Sequence, residues 1–244
     1  MNPIVVIPAR LASTRLPNKP LADIAGRTMI ERVWRQAVKA ALGPVLVAAA
    51  EQEIVDVIVR AGGNAVLTDP ALPSGSDRVF AALQHIDAEG AYDVVVNLQG
   101  DLPALDPALI RSVSNVLEST GTDIATLAAE IDDAADLDNP SVVKAIVAWG
   151  ADGRSGRALY FTRARAPTGP GPLFHHIGIY AFRRAVLARF MTLPPSPLEI
   201  REKLEQLRAL EAGMTIGIAR VDAVPLSVDT PADLEKARAA LAGT

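Results

Sequence analysis

Three basic side chains near the start of the chain have the charge and spacing to bind phosphate groups. Arg10, Arg15 and Lys19 lie within the first 22 residues, and the first carboxylate in the chain is Asp23. Three prolines fall between residues 8 and 20, so we expect a shaped loop there rather than a helix. A rigid basic loop without nearby acid indicates a polyphosphate site. A solvated basic turn is the alternative.

Two carboxylates have the surroundings expected of ligands for a hard cation. Asp101 follows Gly100 and precedes Pro103 by two residues, and Asp229 directly precedes the pair Thr230-Pro231. Both therefore lie on loops between regular elements, from which carboxylates can bind Mg²⁺ for phosphoryl transfer. Each alone is also explained as a turn or cap residue. Together with the basic loop, the pair predicts a cleft that grips a diphosphate at one end and a divalent ion at the other.

Apolar runs typical of buried strands alternate with helical patterns in the first hundred residues. The run Ile4–Ile7 is short, apolar and β-branched, as in a strand buried on both faces of a parallel sheet. The further predicted elements are helix 28–42, opened by a capping box of Thr28 and Glu31, strand 45–47, helix 51–60, strand 65–67, helix 77–85 and strand 93–98. This rhythm predicts an α/β fold with a doubly wound, mostly parallel sheet whose carboxyl-end loops form the site.

The second half of the chain is less regular. Strands are predicted at 123–131, 142–149, 158–161 and 177–182, and a helix at 233–242 capped by Thr230. A strong helix is predicted at 197–212, because Ser196, Pro197 and Glu199 form its start and Gly213 its end. We expect residues 1–244 to form a single domain in which about 140–215 make a small α+β lobe.

Composition limits the classes of partner. The chain has 244 residues, 50% of them hydrophobic but only 4% aromatic, and its formal net charge is −4. That balance argues against a nucleic-acid partner. With no cysteine, the sequence excludes disulfides and thiolate metal sites. The amino terminus leads straight into a strand and no run reaches membrane-spanning length, so we expect a cytoplasmic protein without a membrane partner.

The stretch IPARLASTRLPNKPL resembles the amino-terminal signature of sugar-acid cytidylyltransferases, in particular the 3-deoxy-manno-octulosonate (Kdo) cytidylyltransferase family. Further segments similar to that family are Ser74–Arg78, Asn97–Pro103, Asn139–Pro140, Val143–Lys144, Ala158–Arg163, Gly178–Tyr180, Ser196–Glu199, Leu204–Arg208 and Val228–Leu234. The resemblance implies a Rossmann-like nucleotidyltransferase fold with a dimerisation or lid lobe. It also implies Mg²⁺-dependent transfer of CMP from CTP to Kdo for lipopolysaccharide biosynthesis, with release of pyrophosphate, by a homodimer.

The resemblance also implies roles for individual residues. Those implied in catalysis are Arg10, Lys19, Asp101 and Asp229, with Asp101 and Asp229 as the Mg²⁺ ligands. Those implied in nucleotide binding are Arg10, Arg15, Lys19, Ser74, Gly75, Arg78 and Gln99. Those implied in sugar binding are Gln99, Arg163, His176, Tyr180, Glu205 and Gln206. Arg163 suits the sugar carboxylate. The mechanism is positioning and electrostatics without a covalent intermediate.

Other interpretations of these residues stay open. Arg163 is also explained as a surface residue beside Arg165, and the Glu205-Gln206 pair as the solvated face of a charged helix. Neighbours on a strand point to opposite faces, so at most one histidine of the pair 175–176 faces a site. The sequence Asp-Leu-Asp at 136–138 imitates a glycosyltransferase metal motif, but we interpret it as surface.

The chain departs from the family pattern at three places. Leu102 stands where a glutamate is usual, Ala49-Ala50 stands where Thr-Asp is expected, and the stretch between Pro167 and His175 is short. These departures leave two alternatives open. One is the same reaction on a related acid, such as an N-acylneuraminate or amino-substituted Kdo. The other is a catalytically weak nucleotide-binding module.

Overall fold

The computed structural model describes residues 1–243 and divides into two compact units. The first comprises Met1–Arg111 and the carboxyl-terminal segment from Pro225, and the second comprises Ser112–Val224. The predicted lobe of about 140–215 falls within the second unit, which extends beyond it at both ends. Thr244, the last residue of the predicted domain, lies outside the described residues.

In chain order the first strands and helices are β1 (Pro3–Ala9), β2 (Asp23–Ile24), β3 (Arg27–Thr28), α1 (Met29–Lys39), β4 (Val45–Ala49), α2 (Gln52–Arg60), β5 (Asn64–Leu67), α3 (Gly75–Ile86), β6 (Val94–Asn97) and α4 (Pro107–Thr120). The remaining elements are β7 (Ile124–Glu130), α5 (Ala134–Leu137), β8 (Lys144–Trp149), β9 (Ser155–Thr162), β10 (Phe174–Arg183), α6 (Arg184–Met191), α7 (Pro197–Glu202), α8 (Gln206–Glu211), β11 (Ile216–Val221) and α9 (Pro231–Ala240).

The first unit is built on parallel strands in the order β5-β4-β1-β6. β1 is central, and its residues Ile4–Ile7 are at most 1% exposed, which confirms the predicted buried strand. All three pairings are parallel, as the sequence predicts for this part of the chain. The carboxyl ends of these strands therefore meet at one edge, and the loops that follow them gather there.

Helix α1 begins where the sequence predicts and ends three residues earlier. The Thr28 hydroxyl accepts a hydrogen bond from the Glu31 amide at 3.4 Å, so Thr28 caps the helix. The predicted capping box is only half formed, because the Glu31 carboxylate accepts from Arg35 Nε at 2.9 Å instead. An i,i+4 ion pair on the helix surface competes for the same carboxylate.

The end of the chain returns to the first unit and brings Asp229 with it. α9 begins at Pro231 and is capped by Thr230, as predicted, with a reciprocal bond between Thr230 and Asp233. The residues that share one apolar cluster are Leu16, Ile24, Met29, Val228, Leu234, Ala237 and Leu241. The Val228 amide also donates to the Asp101 carbonyl at 2.9 Å. These contacts place the two predicted metal ligands on neighbouring segments.

The second unit is largely antiparallel. β10 pairs with β7, β11 with β9 and β8 with β9 in antiparallel fashion, whereas β11 and β7 run parallel. Phe174 and His175 of β10 also pair with β8, so the five strands close into a ring. The prediction of a mostly parallel sheet is therefore wrong for this unit, and the chain has a mixed sheet. Strands β8 and β9 are joined by only residues 150–154, a connection that antiparallel strands permit and parallel strands do not.

The predicted helix 197–212 is two helices. Its capping box at Ser196 is confirmed, but α7 ends at Glu202, Lys203 takes a left-handed conformation with φ of 56°, and α8 begins at Gln206. The carbonyls of Glu202 and Lys203 accept from the Arg163 guanidinium at 2.9 and 3.4 Å. A distant side chain thus binds the backbone groups that the break exposes, which local periodicity cannot reveal.

Several elements are missing from the sequence prediction, namely the hairpin β2–β3 and the elements α4, α5, α6 and β11. α4 carries a readable start, because Asp106 precedes Pro107 and its carboxylate accepts from the Ala108 amide at 2.8 Å. α4 has 14 residues, and no helix within residues 1–243 has both the length and the apolar character needed to cross a membrane.

Candidate active site

A polar cleft of about 370 Å³ lies at the carboxyl edge of the parallel strands. The residues predicted for the nucleotide and metal that line it are Arg10, Arg15, Lys19, Ser74, Gly75, Arg78, Gln99, Asp101 and Asp229. All belong to the first unit, and all except Asp229 follow β1, β5 or β6 in the chain. The structure therefore brings together every residue that the sequence predicts for the nucleotide.

Lys19 lies between the two carboxylates of the cleft. Its ammonium donates to Asp101 Oδ2 at 3.0 Å and to Asp229 Oδ1 at 3.1 Å, and Arg15 Nη2 lies 3.0 Å from the same Asp229 oxygen. The expectation that cations and carboxylates occupy opposite ends of the cleft is therefore wrong. These opposite charges are brought to the same edge of the sheet and form direct ion pairs. Their attraction offsets part of the free-energy cost of removing them from water.

Asp101 and Asp229 stabilise the charged form of Lys19. Burial opposes the charged form of this side chain, which is 17% exposed, but Asp101 and Asp229 together raise the pKa of Lys19 above its ordinary value. Arg15 differs, since its side chain is 64% exposed and its ion pair with Asp229 is worth little. Lys19 is thus a fixed cation of the cleft, whereas Arg15 is free to turn toward an anion.

The residues present fit a hard divalent cation. Asp101 and Asp229 contribute carboxylate oxygens, are 27% and 37% exposed, and converge on one ammonium group. Within residues 1–243 no group of three or more acidic, histidine or cysteine side chains is arranged to hold a metal ion. Mg²⁺ nevertheless needs only one or two carboxylates when substrate phosphates and water complete its coordination. The cleft therefore suits a metal that arrives with a polyphosphate.

The amino terminus of α3 forms part of the cleft wall. Ser74 caps it, accepting from the Asp77 amide at 3.1 Å and donating to the Asp77 carboxylate at 2.7 Å. The helix begins at Gly75, two residues before the predicted start. Backbone N–H groups at a helix start attract anions, and Ser74 and Gly75 both line the cleft.

Arg78 is a buried cation with an unused donor. It is 2% exposed, and its Nη1 donates to the Thr68 hydroxyl at 2.6 Å and to the Asp69 carbonyl at 3.1 Å. Burial lowers the pKa of Arg78, which Glu51 opposes and Arg10 reinforces. Its buried Nη2 has no hydrogen-bond partner in the described part of the chain. A cleft-lining donor of this kind suits an oxygen of a bound ligand.

Thr68 is a positioning residue that the sequence interpretation missed. Its hydroxyl donates to the Ala49 carbonyl at 2.8 Å and accepts from Arg78, which ties that guanidinium to the end of β4. The available signal was its position directly after strand β5, where side chains reach the carboxyl edge of the sheet.

The segment after β6 approaches β1 closely. A Cβ on Gly100 would lie 3.2 Å from the Pro8 carbonyl oxygen, so glycine permits the approach that carries Asp101 into the cleft. The neighbouring Gln99 donates from Nε2 to Asn97 Oδ1 at 3.2 Å, which orients its amide.

Two of the three departures from the family pattern, Leu102 and the pair Ala49-Ala50, are buried. Leu102 is 6% exposed, and Ala49 and Ala50 are 0% and 6% exposed. Leu102 does not line the cleft, although Asp101 beside it does. At these places the chain has apolar packing where the family pattern has polar groups.

Two of the predicted sugar-side residues pack inside the second unit. His176 is 8% exposed, its Nε2 lies 3.0 Å from the Thr126 hydroxyl, and its ring lies 5.5 Å from that of Tyr180. Burial lowers the pKa of His176 to about 3, so the imidazole is neutral near pH 7. Burial, with a contribution from Glu205, raises the pKa of Tyr180. His176 and Tyr180 thus form a neutral polar cluster.

Three further predicted sugar-side residues, Arg163, Glu205 and Gln206, lie around the break between α7 and α8, whereas Gln99 lines the cleft of the first unit. Besides its bonds to the break, Arg163 donates from Nη1 to the Pro140 carbonyl at 2.9 Å. Arg163 therefore joins the loop at Pro140 to the break between the two helices. The alternative interpretation of Arg163 as a surface residue did not predict these bonds. Gln206 is 8% exposed, and its buried Nε2 finds no partner among the described residues. Glu205 lies 3.9 Å from Arg208.

The Asp-Leu-Asp segment behaves as surface. Asp138 is 72% exposed and pairs with Arg165 at 3.2 Å, and the Asp136 carboxylate accepts from Asn139 Nδ2 at 3.1 Å. These local contacts account for both carboxylates without a metal.

Comparison with known proteins agrees with the family resemblance found in the sequence. The cytidylyltransferase family matches residues 4–216 of the chain. A 3-deoxy-manno-octulosonate cytidylyltransferase of Parvibaculum lavamentivorans is 66% identical over 241 residues, which cover 99% of this chain and 93% of the relative. The protein of that name from Rhodospirillum centenum is 63% identical, with 98% and 93% of the two chains covered.

Two solved structures are similar to this fold. CMP:2-keto-3-deoxy-manno-octonic acid synthetase complexed with CTP gives a TM-score of 0.91 at 37% identity, covering 99% of each chain. A structure from Mycobacterium tuberculosis H37Rv gives a TM-score of 0.63 at 16% identity over 98% of this chain and 97% of its own, a similarity that shows the fold alone.

Proposed function

The chain belongs to the 3-deoxy-manno-octulosonate cytidylyltransferase family, and on that premise we propose how it transfers CMP from CTP to the anomeric hydroxyl of Kdo. The products are CMP-Kdo, for lipopolysaccharide biosynthesis, and pyrophosphate. The observation that carries the proposal is the basic cleft in which Lys19 contacts both Asp101 and Asp229. Such a cleft combines the cations that a triphosphate needs with carboxylates for a metal.

On the nucleotide side, the cations of the cleft bind the triphosphate of CTP. Arg10 and Arg15 are exposed and able to follow the phosphates, while Lys19 supplies a fixed charge. Ser74 and Gly75 present the start of α3 to the nucleotide, and the remaining residues proposed to contact it are Arg78 and Gln99. Pyrophosphate leaves with its negative charge already compensated, which lowers the barrier.

On the sugar side, we assign binding to Arg163, His176, Tyr180, Glu205 and Gln206, together with Gln99. The support is chemical. Arg163 has five N–H donors, of which three bonds to carbonyls use only part, and Gln206 has a buried amide suited to a sugar hydroxyl. The Glu205 carboxylate adds an acceptor for sugar hydroxyls.

The reaction itself needs positioning more than a nucleophilic side chain. The Kdo hydroxyl gives its proton to solvent and attacks the α-phosphorus. A new O–P bond forms as the bond from that phosphorus to the bridging oxygen of the β-phosphate breaks, and pyrophosphate leaves with the bonding electrons. Asp101 and Asp229 would hold Mg²⁺, which when bound neutralises phosphate charge and favours the deprotonated hydroxyl. Arg10 and Lys19 stabilise the charge that builds on the departing pyrophosphate, and these four residues are the proposed catalytic set.

We further propose that the enzyme is cytoplasmic, since CTP is present in the cytoplasm. We also propose that it is a homodimer. Leu159 and Ile200 of the second unit are 50% and 65% exposed, and apolar side chains of this kind suit an interface. Light scattering should give twice the 25.7 kDa mass of one chain. A monomer mass at micromolar concentration contradicts this assignment.

Pyrophosphate release tests the proposal. Wild-type protein with CTP, Mg²⁺ and Kdo should release pyrophosphate, whereas UTP or N-acetylneuraminate should support little release. Asp101→Asn should lower turnover by about a hundredfold or more while the protein still folds, because a carboxylate ligand is lost. The matched control is Asp106→Asn, which retains a side-chain oxygen for the cap of α4 and should behave as wild type. Equal rates in the two variants contradict the assignment of Asp101.

A further inference from the structure

Glu51 is joined to the basic loop from a distant part of the chain. Its Oε2 accepts from the Leu11 amide at 2.9 Å across 40 positions of sequence. Immediately before it, the Ala50 amide donates to the Ala9 carbonyl at 3.0 Å. The backbone on both sides of Arg10 is therefore hydrogen-bonded to the residues that follow β4. Arg10 lies where the chain leaves β1 and enters the cleft.

The carboxylate of Glu51 is not occupied with its own helix. Glu51 is the N-cap residue of α2, a place where an acidic side chain ordinarily accepts from the first turn. In the described structure its side chain makes no capping bond, although its carbonyl accepts from the Ile54 amide at 3.2 Å. Its role is therefore explained by the loop and not by helix capping.

The loop has a second attachment farther along. The Leu16 side chain is 9% exposed and lies in the apolar cluster with Met29 and Val228. Between Leu11 and Leu16 the chain lines the cleft with residues 12–15. A hydrogen bond at one end and apolar burial at the other thus determine where the loop presents its cations.

Glu51 also lies among the cations that the cleft gathers. It favours the charged form of Arg78, while Arg10 disfavours it, so a carboxylate is placed where two cations repel each other. A carboxylate close to a triphosphate has an electrostatic cost. The hydrogen bond that the Glu51 carboxylate accepts from the Leu11 amide offsets that cost.

We infer that Glu51 is a positioning residue for the nucleotide, which holds the loop of Arg10 and Arg15 in the conformation that receives the triphosphate of CTP. The inference rests on the proposed function of that loop and adds a residue outside the cleft lining. Glu51 acts on CTP affinity through the Leu11 amide and has no contact with the sugar acid.

Three substitutions of Glu51 and one control test this. Glu51→Ala removes the acceptor, and Glu51→Asp keeps the charge on a side chain one methylene shorter. Both should raise the KM and the calorimetric Kd for CTP by about tenfold, the usual value of a charge-assisted bond. Glu51→Gln keeps an oxygen at the same reach and should stay within about threefold of wild type. The KM for Kdo should not change.

The control Glu53→Ala removes the same charge from the first turn of α2 at an exposed position. It should bind CTP as wild type does. Hydrogen exchange supplies a readout independent of turnover: uptake in residues 8–16 should rise in Glu51→Ala and Glu51→Asp but not in Glu53→Ala or Glu51→Gln. If Glu51→Ala does not fold, the contrast between Glu51→Asp and Glu51→Gln decides.

Equal CTP affinity in Glu51→Asp, Glu51→Gln and wild type would overturn the inference, as would a loss in Glu51→Gln equal to that in Glu51→Asp. Because binding is measured without turnover, these outcomes differ from failure of the proposed function. That failure appears as wild-type protein that releases no pyrophosphate.

Discussion

The Lys19 ammonium donates to the Asp101 carboxylate at 3.0 Å across 82 positions of sequence. The same nitrogen lies 3.1 Å from Asp229. One cation therefore compensates two carboxylates while belonging to the basic loop. Any polyphosphate that takes up the Lys19 charge also frees the carboxylates for a metal, so the two halves of the site are linked through one side chain.

Replacing Lys19 by methionine should remove this compensation. We expect turnover to fall by about a hundredfold or more, because a cation facing the leaving group is lost. Stability should fall by about 1–3 kcal/mol at pH 7, because Asp101 loses its charged partner and Asp229 keeps only the exposed Arg15. Steady-state kinetics and urea unfolding measure the two effects.

The pH dependence of that difference has a defined sign. The pKa of Lys19 is raised in the folded protein, so its contribution to stability is present below the unfolded-state value of about 10.4 and disappears as the pH rises through the folded-state value. As the pH rises above 7, wild type and Lys19→Met should therefore converge in stability only in strongly alkaline solution. Convergence near pH 7 contradicts the assignment.

His176 should make the protein acid-sensitive. Burial lowers its pKa to about 3, whereas an unfolded chain has a histidine pKa of about 6.5. Between these values the unfolded state binds more protons, so stability falls as the pH falls, by up to about 1.4 kcal/mol per pH unit. In His176→Phe the urea midpoint should depend less on pH between 6.5 and 4. The exposed His85, changed to Gln, should leave the wild-type slope, and a wild-type slope in His176→Phe refutes the prediction.

Arg163 should serve both the fold and the sugar acid. Arg163→Lys leaves one ammonium where a planar guanidinium reaches the carbonyls of Pro140, Glu202 and Lys203. We expect a stability loss of about 1–3 kcal/mol and a raised KM for Kdo, with the KM for CTP unchanged. Arg165→Lys, at an exposed ion pair, should change neither. If the KM for Kdo stays constant in Arg163→Lys, its sugar-binding role is excluded.

The cap of α9 should support Asp229. Bonds from Thr230 hold the pKa of Asp233 below its usual value, so their contribution to stability is present above an unfolded-state pKa of about 3.9 and is lost as the pH falls further. Asp233→Ala should cost about 1 kcal/mol at pH 7 and progressively less as the pH falls below 4, measured by urea unfolding. Since the Asp229 amide also donates to Asp233 at 3.4 Å, turnover should fall too. Glu235→Ala in the same helix is the control, and equal losses there contradict the prediction.

Local signals account for most of the first unit. The apolar run Ile4–Ile7, the cap at Thr28 and the start of α9 at Pro231 are all readable from residues within one or two turns of each other. The resemblance in the loop of Arg10–Lys19 is confirmed by the family match. Those features were predictable because periodicity and capping act over short distances.

The second unit was less predictable for a physical reason. Its ring of strands depends on pairings such as His175 with Lys144, and the break at Lys203 depends on Arg163. Neither leaves a trace in neighbouring residues, because hydrogen bonds between distant segments, and not propensity, determine them. Thr68 and Glu51 escaped notice for the same reason, since each acts through one bond to a distant loop.

The sequence by itself predicted the parallel strands of the first unit, the residues that line the cleft and the reaction family, because these are carried by contiguous apolar runs and short motifs. Only the tertiary structure decided that Lys19 lies between Asp101 and Asp229 and that Glu51 holds the loop. Charges distant in sequence find their partners only when strand ends meet at one edge. That geometry comes from the packing of the whole unit.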